Sequence, residues 1–221
     1  MCTRFFLDTE HSPEIQPYIE AAAASPRKAA MTRTLGKEMK TSGEIRPTDM
    51  VAAIAPSPSG KKSVYPMVWG YHIGGLNRPV VNARAESARD KKSFSNDWKK
   101  HRCVIPASYY FEWEHRKTAE GKTILGSKYA LWPENATATW LGGLYRLEAR
   151  DGFLYPVFTI LTRAPGPAAA KIHDRMPLIL PENMVDAWIH PGSNPEEILR
   201  EALTDTAVRP LVRPLNLPAD S

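Results

Sequence analysis

The spacing of apolar positions changes character part-way along the chain. Near the start, Phe5 to Leu7 is a short apolar run that predicts a strand. Ile15, Tyr18 and Ile19 then recur at helical spacing ahead of the alanines Ala21 to Ala24, which predicts an amphipathic helix over Pro13 to Ala24. Arg27 to Met39 reads as a second, more basic helical segment, ended by Ser42 and Gly43. From there the pattern becomes that of strands: Val51 to Ala55, Val64 to Trp69, Pro79 to Asn82, Arg102 to Ile105, Tyr109 to Trp113 and Tyr129 to Trp132, parted by Pro, Gly, Ser and Asn clusters. Thr139 to Leu147 and Phe153 to Leu161 flank Arg150-Asp151-Gly152, a turn that closes a hairpin. At the other end, Met184, Val185 and Trp188 mark one face of a segment over Pro181 to Ile189. Ser193-Asn194-Pro195-Glu196-Glu197 carries the cap, proline and acidic first turn of a helix through Leu203.

The 221 residues suit one α+β domain over 1–221, with mainly antiparallel sheets and peripheral helices. Proline (20) outnumbers glycine (13), which favours rigid turns and edge segments over a long helical bundle. The longest aliphatic stretches, Ala21 to Ala24 and Val51 to Ala55, fall far short of the roughly 18 residues that span a bilayer, so no membrane role is expected. The amino terminus lacks the basic, apolar, small-residue order of a secretory signal, and two cysteines form no disulfide framework; both point to the cytoplasm. A net charge of +5 is compatible with a polyanionic partner without requiring one.

The common nucleotide, hydrolase and zinc signatures are missing, and the histidines are too scattered to suggest a metal site. What stands out is Cys2. A small residue there permits removal of Met1, leaving one residue with both a free α-amine and a thiol. The amine, with an ordinary pKa of about 7.7 to 8.0, is partly neutral at pH 7, and the thiol near about 8.5 is activated by modest electrostatic help. An aldehyde meeting this pair can form an imine with the amine, after which the sulfur closes a five-membered thiazolidine. An idle cysteine at position 2 is the ordinary alternative. Cys103, on an apolar strand, reads as packing.

Three segments change the balance: Val81-Asn82-Ala83-Arg84-Ala85-Glu86-Ser87; Arg102-Cys103-Val104-Ile105-Pro106-Ala107 leading into Tyr110-Phe111-Glu112-Trp113; and Ile172-His173-Asp174-Arg175-Met176-Pro177-Leu178. With the Met-Cys start, Gly43-Glu44-Ile45-Arg46-Pro47-Thr48 and Phe158-Thr159-Ile160-Leu161-Thr162, they resemble the SRAP family, the SOS response-associated peptidases that shield abasic DNA. The resemblance implies a pseudo-barrel of irregular sheets and a catalytic Cys2 that links covalently to the ring-opened aldehyde of an abasic site in single-stranded DNA. No metal or organic cofactor is implied, and the chain is read as a monomer. Asn82 would orient Cys2. Glu112 would move a proton at the amine or help open the sugar ring. His173 would donate to the departing sugar oxygen, a step suited to a group titrating near neutrality. Arg4, Arg84 and Arg175 would hold phosphates, and Pro47 and Trp69 would stack on bases beside the lesion. The sequence departs from the family pattern at Thr3, where glycine is usual, and after Gly70, where Tyr71 to Asn77 rebuilds the loop.

Each residue also has a purely structural alternative: a sheet-edge ion pair for Glu112, a turn for His173, pairing with Glu86 for Arg84, and the core for Trp69. At the level of function, the same cluster could make Cys2 an N-terminal nucleophile that cleaves amides, with its own amine as base. A non-enzymatic binder of single strands, with Cys2 idle, is the third class.

Overall fold

Alternation along the strands is broken where a strand is covered on both faces, and those strands build the centre of the molecule. The computed structural model describes residues 2–134, 136–204 and 210–214. Its strands are β1 (Arg4–Leu7), β2 (Gly43–Ile45), β3 (Met50–Pro56), β4 (Lys62–Trp69), β5 (Asn82–Arg84), β6 (Arg102–Ala107), β7 (Tyr109–Lys117), β8 (Thr123–Pro133), β9 (Thr139–Arg150), β10 (Phe153–Arg163), β11 (Met176–Pro177), β12 (Ile179–Leu180) and β13 (Pro210–Pro214). Every residue of β3 and β6 is buried. They lie in a ring that runs β10, β4, β3, β6, β9 and back to β10, a closed five-strand barrel that is antiparallel except where β10 runs parallel to β4. Closure leaves no open edge in the ring. Gly143 permits it: a Cβ there would sit 2.8 Å from the Thr159 carbonyl oxygen and 2.9 Å from Ile105.

A second, antiparallel sheet has the order β13, β8, β7, β1, β2, and with the helices it makes the fold α+β. In β1, Phe5 and Leu7 face the core while Arg4 and Phe6 are part-exposed, as period-two alternation requires. The β9–β10 hairpin turns through Asp151 and Gly152, both left-handed (φ 51° and 78°), the two-residue geometry that suits the strand twist.

Several elements differ from the sequence reading for identifiable reasons. The segment from Pro13 starts as a 3₁₀ turn (Pro13–Ile15) before the helix Gln16–Ala23, and the basic helix is Pro26–Leu35, stopped by left-handed Gly36. Pro181 to Ile189 divides in the same way, into a 3₁₀ turn and the helix Val185–Ile189. No strand covers Pro79 to Asn82: Val80 makes an isolated bridge to Tyr71, and β5 begins at Asn82, where it pairs in parallel with β10. Short helices at Ala85–Ala88 and Ser95–Lys100 occupy segments that carry too few apolar positions to show a period. Arg102 is fully buried, yet its guanidinium donates to five carbonyls, those of Trp98, Lys99, Trp188, His190 and Ser193. It joins the carboxyl ends of two helices, where a cation is favoured. No helix among the described residues is long and apolar enough to cross a membrane.

Candidate active site

The candidate site lies where the two sheets meet. One wall comes from the second sheet: Cys2 lies two residues before the start of β1, and β7, paired with β1, carries Glu112. The other wall comes from the barrel, through Asn82 at the start of β5 and His173 just before β11. Asn82 Nδ2 donates to the Cys2 carbonyl at 2.8 Å, so an 80-residue separation closes onto the backbone of the proposed nucleophile. The segment before His173 is tied to β7, because His115 N–H donates to the Ile172 carbonyl and the two imidazoles lie 4.1 Å apart. The structure thus brings Cys2, Asn82, Glu112 and His173 together from four chain regions.

The cluster is dry. Cys2 is fully buried, Glu112 is 3% exposed and His173 is 6% exposed. Burial raises the Glu112 carboxyl to about 7, so it passes between proton donor and acceptor near neutral pH. Burial also drives the Cys2 thiol well up, with Glu112 adding to the effect, and the sulfur is directed at the Arg4 carbonyl 3.8 Å away. His173 moves oppositely: burial and the adjacent His115 lower it to about 4, which makes it a neutral imidazole at pH 7. The group that titrates near neutrality is therefore Glu112 and not His173, because both are withdrawn from water and a carboxylate and an imidazolium respond with opposite sign.

His173 Nε2 is 4.0 Å from Glu112 Oε2, beyond hydrogen-bond length. Two partners compete for Nδ1: Arg175 N–H donates to it at 3.0 Å, and Asp174 Oδ1 lies 2.8 Å away. With Nδ1 accepting from Arg175, the neutral ring carries its proton on Nε2, facing Glu112; with Nδ1 protonated, it faces Asp174 instead. His115, His173 and Asp174 also place one possible ligand atom each within 4.8 Å of one another, the one such grouping among the described residues. With Nδ1 engaged by Arg175, it reads as a hydrogen-bonded wall.

The cationic rim is arranged less simply than its sequence suggested. Arg84 is exposed and makes no ion pair among the described residues. Glu86 instead binds Arg175 in a two-pronged contact of 2.9 and 2.8 Å, and Arg175 also donates to the Thr162 carbonyl. Arg4 pairs with Glu44 at 3.1 Å. Lys128 and Arg46 also meet Glu44, and the Lys128 ammonium sits over the Phe111 ring. Trp69 is fully buried, stacked on Phe158 and tilted against Phe5, with Nε1 donating to Val81; it presents no open face to a base. Pro47 is part-exposed, and its turn is fixed by Thr48 and Asp49 bonding to the Trp69 backbone, with Thr48 left-handed at φ 72°.

Sequence reasoning passed over Lys128, Arg163 and Tyr110. Lys128 carries no local pattern, but Arg163 directly follows the Phe158 to Thr162 segment and Tyr110 lies inside the Tyr-Phe-Glu-Trp run. Among the described residues, the Tyr110 hydroxyl is buried without a hydrogen-bond partner. Burial raises its pKa first and Cys2 next.

Residues 1–213 match the SOS response associated peptidase (SRAP) family. The chain belongs to the SRAP family. It is 34% identical over 125 residues to the abasic site processing protein YobE of Bacillus subtilis, covering 56% of this chain and 55% of that protein. It is 30% identical over 168 residues to the abasic site processing protein YMR114C of Saccharomyces cerevisiae, covering 71% and 42%. The chain spans about half the length of the curated relatives it matches. Among solved structures, a protein from Bacteroides thetaiotaomicron matches with a TM-score of 0.69 at 20% identity, over 96% of this chain and 91% of that one, and so shares its fold.

Proposed function

We propose that the chain processes abasic sites in single-stranded DNA by linking to them covalently through Cys2, once Met1 has been removed, and so shields the lesion. The kinship with abasic site processing proteins supports the substrate. The observation that carries the chemistry is the dry junction in which Asn82 holds the Cys2 carbonyl beside a carboxyl lifted to about 7.

In this reading the sugar ring opens first. The C1′–O4′ bond breaks as Glu112 takes the proton from the C1′ hydroxyl and passes it to the departing O4′, which His173 Nε2–H holds by a hydrogen bond. The Cys2 amine attacks the aldehyde carbon, and Glu112 carries the nitrogen's protons to the carbinolamine oxygen, which leaves as water and gives an imine. The thiol, kept protonated by its burial, then adds across the C=N bond: sulfur takes the carbon and the S–H proton passes to nitrogen through Glu112. One water is lost and no oxidant, metal or cofactor enters the balance. Arg84 contacts phosphate directly, Arg175 does so at the expense of part of its hold on Glu86, and Arg4 and Lys128 extend the positive rim. Pro47, not Trp69, is the residue available to stack on a base.

Denaturing electrophoresis of the protein with a single-stranded oligonucleotide carrying one abasic site tests the reading. A band that survives denaturation with the abasic strand and not with the intact one is expected. Binding without such a band would favour the non-enzymatic binder.

A further inference from the structure

Away from Cys2, a cavity of about 680 Å³ opens between the β3–β4 turn, the outer side of the β9–β10 hairpin and the helix Ser95–Lys100. It shares no lining residue with the Cys2 cluster or with Arg84 and Arg175. Its size falls in the range of about 300 to 1,000 Å³ that holds small organic ligands. The chemistry of its walls narrows the class of occupant.

Tyr65 and Tyr145, both part-exposed, supply aromatic surface, and prolines widen the apolar wall. Four cations line the cavity, Arg27, Lys92, Lys100 and Arg146, against one carboxylate, Asp97. Asp97 is 5% exposed and already engaged, accepting from His101 Nδ1 at 2.9 Å. That bond leaves His101 Nε2 as an acceptor at the wall. Arg146 is committed to Glu148 and the His72 carbonyl, and Arg27 reaches the Leu154 carbonyl. Lys92 and Lys100 are exposed and have no acidic partner among the described residues. The cavity therefore offers flat apolar surface, one fixed acceptor and two uncompensated ammonium groups. A planar ring carrying a phosphate satisfies all three, whereas an aliphatic acid leaves the tyrosines unused and a neutral aromatic leaves the lysines unused.

We propose that this cavity is a second site, one that binds a nucleotide: the base lies against Tyr65 and Tyr145, His101 accepts a hydrogen bond from sugar or base, and the phosphate is held by Lys92 and Lys100. The nucleotide has two possible sources, a free nucleoside monophosphate or one unit of a strand whose lesion sits at Cys2. The site itself does not depend on the Cys2 chemistry.

Calorimetric titration of the full chain with deoxyadenosine monophosphate is the test. Saturable binding is expected, with adenosine alone and inorganic phosphate alone each weaker by at least about tenfold, since each loses half of the contacts. The double variant Lys92→Glu, Lys100→Glu should weaken the nucleotide by at least about tenfold while melting like wild type, and Cys2→Ala should bind as wild type does. No heat up to millimolar nucleotide, or equal affinity in the lysine variant, would overturn the proposal. Adding the nucleotide to crosslinking reactions separates the sources. Slowing on long abasic strands but not on short ones identifies a strand unit, and equal rates on both identify a free nucleotide.

Discussion

Two carboxylates of one sheet behave oppositely. Glu112 and Glu44 stand on the strands that flank β1 on either side. Burial lifts Glu112 to about 7. Burial also acts against Glu44, but Lys128 and Arg46 outweigh it and hold that carboxyl below its ordinary value. One region is a dry pocket that keeps a proton available near pH 7; the other is a charged rim whose acids stay ionised and arrange cations. The difference teaches that residue type alone sets no protonation state: withdrawal from water holds one carboxyl near neutrality, and neighbouring cations keep the other ionised.

The strongest way to break this division is at the nucleophile. Cys2→Ala should abolish the denaturation-resistant adduct entirely while salt-sensitive DNA binding persists, as filter binding beside a denaturing gel would show. An adduct at wild-type level would mean the dry pocket holds the wrong nucleophile. Next comes Glu112→Gln, for which single-turnover crosslinking should slow by at least about tenfold, toward the hundredfold or more that a positioned acid or base supplies. The same variant should remove the rate change near pH 7.

Glu112 also gives a stability test with a fixed sign. Below its unfolded pKa of about 4.5 it is protonated whether or not the chain is folded; between there and about 7 only the unfolded chain ionises. Its stabilising contribution is thus full in acid and lost as pH rises through 7, on the order of 3 kcal/mol at most. Thermal melts at pH 5 and pH 8 should differ less for Glu112→Gln than for wild type.

His173→Ala should slow crosslinking by about tenfold and leave the shape of the profile between pH 5 and 9 intact, because the ring is already neutral across that range. Loss of a limb in that window would return the near-neutral titration to His173. The smallest effect belongs to the rim. Arg84→Ala should weaken binding a few-fold and reduce the slope of log affinity against log salt by about 0.7, the loss of one contact to a single strand.

Much of the architecture was legible because it is local. The β9–β10 hairpin follows from Asp151 and Gly152, and the helix Pro195–Thr204 follows from the acidic residues of its first turn. What escaped depends on distant partners. β5 exists because Asn82 to Arg84 finds β10 in parallel, about 80 residues away, which no local period announces. Trp69 ends an apolar strand, and only the arrival of Phe5 and Phe158 makes it core. The members of the candidate cluster were readable as residues, but the order in which Glu112 and His173 titrate rests on burial that the tertiary fold alone creates.

The central claim is that the amine and the thiol of Cys2 both end bonded to the abasic carbon. Intact mass spectrometry of the adduct, formed with and without borohydride, tests it most directly. The account predicts a species equal to the chain lacking Met1 plus the abasic oligonucleotide minus one water, formed equally well without reductant because a thiazolidine has no imine left to reduce. An adduct seen only after borohydride, or one that retains Met1, would contradict it.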